Sequence, residues 1–383
     1  MIYLLFGILV GYLSWGFTLE MTILSLSLFV AYLLLEKRWY IFLFSLGYYL
    51  VGSRGLFFGV EHYYDNLLYA FLSWGSVALL SSLIWILIWS NSFKKRLYLF
   101  PLVLFINVVP PMGFISWINP LPTIAILFPS FGFLGLLFEF MIIYLLVFAW
   151  KRYQSKEYKR LVITLFPLLL LSFIKLFSPH NTQVNTNLGI INSSIEYAPI
   201  TFDKSEEYKR IKKFFYLVQD SNNSNVLLPE NAFGNYSNLQ SMVWSRLDRN
   251  KTIWGGANIY NYQYSKNINA FMRLDYNSSE IRYKQRVPVP IEMWKPFSNS
   301  GTEATLYKQP IVMVDGIETG VFICYEQLLS YPYIQTFFYH PKMLIGISNL
   351  YWAKNTNIKI IQEETMQLWS LLFGIPLKFS VNE

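Results

Sequence analysis

The first 178 residues are a succession of apolar runs, each close to the length of a bilayer crossing, whereas residues 179–383 read as an ordinary α/β chain. One globular core does not accommodate both. A membrane-spanning helix needs about 20 mainly apolar residues, with a range of about 17–25. Runs of that kind fall at about 2–17, 20–35, 39–55, 66–90, 97–113, 131–150 and 160–178. The expectation is therefore a helical bundle of about seven spans over 1–178 and a second domain over 179–383. The first two runs are short, parted only around Thr18 to Glu20, and read as a tight hairpin or one less regular unit. The stretch Pro110 to Pro122 is too rich in Pro and Gly for a plain helix, so it reads as a surface loop or a re-entrant segment.

Charge supplies an orientation. Only 14% of the residues are charged, against about 25% in a soluble domain. The basic residues of the first half cluster at Lys37–Arg38, Lys94–Arg96 and Lys151–Arg160, in every second connection between runs. By the positive-inside rule these loops are cytoplasmic, the N-terminus is inside, and the second domain lies outside, at the periplasmic face of a bacterial inner membrane. The net charge of +8 is thus accounted for by topology rather than by nucleic acid. The start of the chain has no basic region ahead of its apolar run, so it reads as a first membrane helix and not a cleaved signal. Seven helices could also form a transport bundle, but intramembrane charges are few. Glu139 is the main candidate, with His62 and Asp65 in an expected outer loop.

Beyond Pro179 short apolar runs alternate with amphipathic stretches. Gly189–Ser194, Val226–Leu228, Thr252–Ile259, Ala304–Val314, Gly320–Cys324 and Met343–Ser348 are candidate strands. Ser205–Gln219, Gln327–Thr336 and Ile358–Leu372 are candidate helices, the first with its acids leading and its bases trailing, as the helix dipole favours. This alternation indicates a layered α/β domain.

The chemistry centres on Cys324, the only cysteine. It ends the run Gly320-Val-Phe-Ile-Cys, and a nucleophile at a strand-to-helix turn is exposed at the sheet edge. The next amide, that of Tyr325, is then a natural oxyanion donor. A thiol needs a base or a cation to become a thiolate. Glu230, after Leu-Leu-Pro at a strand end, offers a general base. Lys284, in Ile281-Arg-Tyr-Lys-Gln-Arg-Val-Pro, offers an oxyanion partner. Taken singly, each is equally a core thiol, a capping acid or a surface lysine. The three histidines, His62, His180 and His340, match no triad or zinc spacing, and no cofactor is expected.

Together, Leu-Leu-Pro-Glu230, Tyr-Lys284-X-X-Val-Pro and Ile-Cys324-Tyr-Glu326 resemble the nitrilase, or carbon–nitrogen hydrolase, superfamily. The membrane half narrows the resemblance to the apolipoprotein N-acyltransferase and conjugal transfer TraB group. Gly113-Phe-Ile-Ser-Trp-Ile-Asn-Pro-Leu with Leu127-Phe-Pro-Ser-Phe-Gly-Phe-Leu-Gly-Leu points to the latter. The resemblance implies an α-β-β-α sandwich on a membrane bundle, with Glu230 as base, Lys284 as oxyanion partner and Cys324 as carrier of a thioester. Glu326 and Glu292 match supporting acids of the family, and Glu292 is expected beside Lys284. A phospholipid would donate the acyl chain, and an amine such as a lipoprotein N-terminus would accept it. A membrane-bound amidase, an acyltransferase of a conjugation system with another acceptor, and a non-catalytic conjugation component are the alternatives. Two departures stand out. Leu350 occupies a position where the acyltransferases show an acid. The family's further strands and last membrane helix have no counterpart after Phe379, so a shortened domain with an open sheet edge is expected.

Overall fold

The computed structural model describes residues 1–160, 162–164, 166–167, 186–195 and 204–383. They fall into two compact units. One comprises Met1–Thr182, Leu328–Tyr331 and Asn355–Ile375, and the other Gln183–Gln327, Pro332–Lys354 and Pro376–Glu383. The expected division into 1–178 and 179–383 is therefore too simple, and its boundary lies outside the described residues. The helix Ile358–Phe373 packs with the first unit. It buries Ile358, Ile361, Leu368, Trp369 and Leu372, lies on the 3-10 segment Leu121–Ile126, and its Leu371 carbonyl accepts from the Ser130 amide at 2.8 Å.

The first unit is helical. Its elements are α1 (Ile2–Ser14), a 3-10 segment Leu19–Leu26 running into α2 (Ser27–Leu34), α3 (Arg38–Gly52), α4 (Arg54–Tyr64), α5 (Leu67–Leu87), α6 (Phe93–Val108) and α7 (Phe133–Gln154). Among the described residues α5 and α7 are long and apolar enough to cross a membrane; α3 and α4, bent by 48° between them, make a third if counted as one span. At 1.5 Å per residue, a helix of about 20 residues matches the hydrocarbon thickness of about 30 Å. The other expected spans correspond to shorter helices, and 160–178 lies mostly outside the described residues. The run expected at 97–113 is cut short because the chain leaves the helix at Val109, just before Pro110.

Small residues bring α1 and α3 together. Gly7 and Gly11 share one face of α1, and a Cβ on Gly7 would come within 2.0 Å of the Phe44 carbonyl oxygen. The bend after Gly52 frees backbone groups that Asn357 takes up. Its Nδ2 donates to the Gly52 carbonyl at 3.0 Å, and its Oδ1 accepts from the Gly55 amide at 2.9 Å. The Pro-rich stretch is not a surface loop. Trp117, Ile118, Ile124 and Ala125 are buried, and Tyr48 donates to the Ile118 carbonyl at 2.7 Å. Irregular backbone survives in such a setting because protein covers it. His62 sits in the last turn of α4, and Asp65 caps it in a left-handed conformation. Glu139, in α7, is buried, and neither carboxylate oxygen has a hydrogen-bond partner among the described residues.

The second unit is a four-layer sandwich. A five-stranded sheet has the order β1 (Leu188–Ile190), β2 (Asn225–Leu227), β3 (Thr252–Asn261), β4 (Lys266–Asp275), β5 (Ser279–Lys284). A four-stranded sheet follows, β6 (Ile311–Val314), β7 (Ile317–Ile323), β8 (Met343–Asn349), β9 (Leu377–Asn382). Strand periodicity assigns the faces. Ile253 and Ala257 of β3, with Ile268, Ala270, Met272 and Leu274 of β4, pack against Phe214 and Val218 of α8 (Lys204–Gln219) and against Trp244 of α9 (Asn238–Trp244). The opposite parity, Trp254 and Phe271, meets Val321, Ile323, Ile345 and Ile347 of the second sheet. Outside that sheet, Phe322 stacks on Tyr333 of α10 (Ser330–Phe337), with ring centroids 4.2 Å apart. The layer order is thus helix, sheet, sheet, helix, as the resemblance implies. The expected open edge is covered. Residues 191–195 run beside β9: the Ser193 amide donates to Val381 O at 3.0 Å, the Glu383 amide to Ser193 O at 2.9 Å, and Asn382 holds both backbone groups of Ile195.

Candidate active site

Strand β7 ends at Ile323, and the chain turns at once into a 3-10 turn, Cys324–Leu328. Cys324 has φ +47°, a left-handed conformation that costs a non-glycine residue about 1–2 kcal/mol. Glycine would relieve that strain but bring no thiol. The turn lifts the side chain off the strand register, so that Cys324 is only partly buried while Ile323 lies in the core between the sheets. Tyr325 is buried and supplies the first amide after the thiol.

Glu230 follows β2 and Pro229 and is buried. The Cys324 thiol lies close enough to its carboxylate to lower the pKa as a side-chain donor. Oε1 accepts from Asn269 Nδ2 at 2.7 Å, and Oε2 accepts from the Asn349 amide at 3.0 Å. Burial raises its pKa above the ordinary carboxylate range, while these donors pull it back and the nearby Glu326 adds to the rise. Gly256 makes room for it: a Cβ there would lie 2.6 Å from the Glu230 Cα.

Lys284 ends β5. The residues on either side of it touch the Cys324 turn. Gln285 Nε2 donates to the Ile323 carbonyl at 2.9 Å, and Tyr283 OH donates to Glu326 at 2.8 and 2.9 Å. The acid beside Lys284 is Glu303, with Nζ to Oε2 at 3.8 Å and both side chains about a quarter exposed. Glu292, expected in that role, lies in an exposed turn and forms no ion pair among the described residues. The register explains the exchange. Glu303 is pinned to the sheet by its amide bond to Asn267 O at 2.8 Å, while Glu292 lies in the turn that follows Pro290.

Glu326 is fully buried and acts as a strap. It accepts from the Ile323 amide at 2.9 Å, the Arg286 amide at 2.6 Å, the Val287 amide at 3.2 Å and Tyr283 OH. Arg286, also fully buried, stands 3.7 Å away by Nε. Its Nη1 donates to Pro332 O at 3.1 Å and to Gln335 Oε1 at 2.9 Å. Burial raises the Glu326 pKa, and the Arg286 guanidinium opposes the rise. Sequence reasoning missed Arg286, Asn269, Gln285 and Glu303. Arg286 reads as one base among several after Ile281, and no local spacing marks it.

A cleft of about 510 Å³ lined by Arg249, Arg273 and Asp275 opens at Thr252, the first residue of β3. It is not where these groups converge. Among the described residues no three His, Cys, Asp or Glu side chains group as a metal site, and His180 lies outside them.

No family model matches the chain. Among solved structures it is similar to a nitrilase-superfamily amidase from Nesterenkonia at a TM-score of 0.38 and 10% identity, over 51% of this chain and 75% of that one. A carbon–nitrogen hydrolase from Helicobacter pylori gives 0.36 and 12%, over 51% and 72%. The observed sheets and hydrogen bonds, rather than these scores, describe the site. Along the sequence the chain is 27% identical over 392 residues to a probable conjugal transfer protein TraB of Sinorhizobium fredii, covering 98% of this chain and 96% of that protein. It is 25% identical over 367 residues to conjugal transfer protein TraB of Agrobacterium fabrum, covering 88% and 82%. The resemblance read from the motifs is therefore borne out: over most of its length the chain is a homologue of the TraB conjugal transfer proteins.

Proposed function

We propose that the chain is a membrane-embedded thiol acyltransferase of nitrilase type, with its sandwich on the outer face of a bacterial inner membrane. The observation that carries this is the convergence of the lone thiol, Cys324, at the end of β7 with a buried carboxylate, Glu230, on which it acts as a donor that lowers the pKa. Glu230 takes the thiol proton, and the sulfur attacks the ester carbonyl of a phospholipid. The C–O bond breaks, the lysophospholipid leaves with the proton from Glu230, and a thioester remains on Cys324. Lys284 and the Tyr325 amide stabilise the oxyanion. An amine then attacks the thioester: a C–N bond forms, the C–S bond breaks, and the amine proton returns through Glu230 to the thiol. Glu326 holds the Cys324 turn against the Lys284 strand. In this reading the N-terminus is inside and about seven apolar segments cross the bilayer, which the basic loops between them support.

The acceptor is an amine such as a lipoprotein N-terminus. The TraB relatives favour a second reading, in which the same thioester serves an acceptor of a conjugation system. The test supplies purified full-length protein in detergent with a phospholipid carrying a labelled acyl chain, and with a diacylated lipopeptide. Label in the lipopeptide that depends on Cys324 supports the first reading. Label held on the protein but never passed on favours the second. Equal labelling of wild type and Cys324→Ala contradicts both.

A further inference from the structure

We propose that Asn269 and Gln285 are positioning residues, a relay of two side-chain amides that holds the Glu230 carboxylate against the Cys324 thiol and sets the pH at which the pair becomes reactive. The inference rests on Glu230 being the base for Cys324. Asn269 lies on β4 with Phe271, on the face between the sheets, and is 3% exposed. Its Nδ2 donates twice, to Glu230 Oε1 at 2.7 Å and to Gln285 Oε1 at 3.0 Å. Gln285, 1% exposed, donates its own Nε2 to the carbonyl of Ile323, the residue before the nucleophile. The chain of bonds runs from the base to the backbone of the nucleophile without a break.

The orientation of both amides follows from the partners. Ile323 O only accepts, so Gln285 presents nitrogen to it and oxygen to Asn269. Asn269 must then present nitrogen to Gln285, and the same nitrogen reaches Glu230. A flipped Asn269 would set its oxygen against the carboxylate. The arrangement leaves Asn269 Oδ1 buried with no hydrogen-bond partner among the described residues. A buried acceptor left unpaired is a cost that calls for a compensating role. Fixing Glu230 is that role. The groups acting on Glu230 are the donors Asn269, the Asn349 amide and Cys324, and the carboxylate Glu326. Of these, only Asn269 is a side-chain donor linked onward to the nucleophile's strand.

The test uses the full chain in detergent and follows alkylation of its single cysteine by iodoacetamide against pH. Wild type should show an acid limb, reactivity rising as Glu230 ionises, that Glu230→Gln removes. Asn269→Leu loses the donor, so Glu230 holds its proton to higher pH and the limb moves up by about one unit, a roughly tenfold loss of rate on the acid side. Asn269→Asp keeps the size and places a second carboxylate beside Glu230 Oε1, and should move the limb further in the same direction. Gln285→Leu should lower the rate with a smaller movement of the limb. A limb that stays in place in both Asn269 variants, while Glu230→Gln abolishes it, overturns the relay and leaves the base assignment standing. A wild-type profile identical to that of Glu230→Gln overturns both.

Discussion

Glu326 and Glu230 are both buried, both lie near the Cys324 turn, and both have their pKa raised by burial. Their company differs. Glu326 receives three backbone amides and a tyrosine hydroxyl and has a fully buried guanidinium 3.7 Å away. Glu230 receives one amide, one carboxamide and the thiol, and has no cation within ion-pair distance among the described residues. A carboxylate surrounded by fixed donors and a cation ties chain segments together. A carboxylate facing a thiol can exchange a proton. One region spends its buried charge on rigidity and the other on chemistry.

The largest effect that would break this contrast falls on Glu326. Replacing Arg286 with Met, or Glu326 with Gln, leaves an uncompensated buried partner. Either change should destabilise the sandwich by about 3–5 kcal/mol, read as an earlier denaturation midpoint by near-UV circular dichroism. The double variant Arg286→Met with Glu326→Leu should recover little of that loss, because the Ile323, Arg286 and Val287 amides and the Tyr283 hydroxyl lose their acceptor. Full recovery would show that Glu326 only offsets the charge of Arg286. Next in size is Gly256→Ala. The new methyl meets the Glu230 backbone at 2.6 Å, so the backbone must shift, which should cost about 1–3 kcal/mol of stability and, by displacing the base, cut Cys324 alkylation roughly 10–100-fold.

Glu230→Gln sharpens the comparison from the other side. Its folded pKa lies above the unfolded value of about 4.3, so the folded state binds the proton more tightly. The stability that Glu230 contributes is then greatest below the unfolded pKa and is lost as pH rises through the folded one. At neutral pH the glutamine variant should be as stable as wild type or slightly more so. It should show the opposite pH trend only if the donors around Glu230 outweigh its burial and depress the folded pKa. Smallest is Lys284→Gln. Its pair with Glu303 is long and a quarter exposed, so the stability change should stay within about 1 kcal/mol, whereas thioester formation should fall.

Much of the sandwich could be read from its short apolar runs. Met343–Ser348 and Gly320–Cys324 were legible because both faces are buried and the runs are apolar throughout. The strands β4, β5 and β9 carry Asn, Arg, Glu, Lys and Ser at alternate positions and escaped notice. Asn269 and Gln285 are polar residues on an inward face, and nothing local marks an amide that will meet a carboxylate 39 residues away in sequence. The Glu303 for Glu292 exchange has the same origin, since a partner brought in by a loop has no spacing to betray it. In the helical unit the apolar runs marked the segments. The bend at Ser53, the cover over Ile118 and the docking of the helix Ile358–Phe373 depend on contacts from distant parts of the chain.

The central claim is that Cys324, activated by Glu230, carries an acyl group. Intact-protein mass spectrometry after incubation with phospholipid tests it most directly. Wild type should gain the mass of one acyl chain, labile to hydroxylamine and mapped to Cys324, with the adduct absent in Cys324→Ala and strongly reduced in Glu230→Gln. A wild-type protein that never gains that mass, or an adduct that persists in Cys324→Ala, would contradict it.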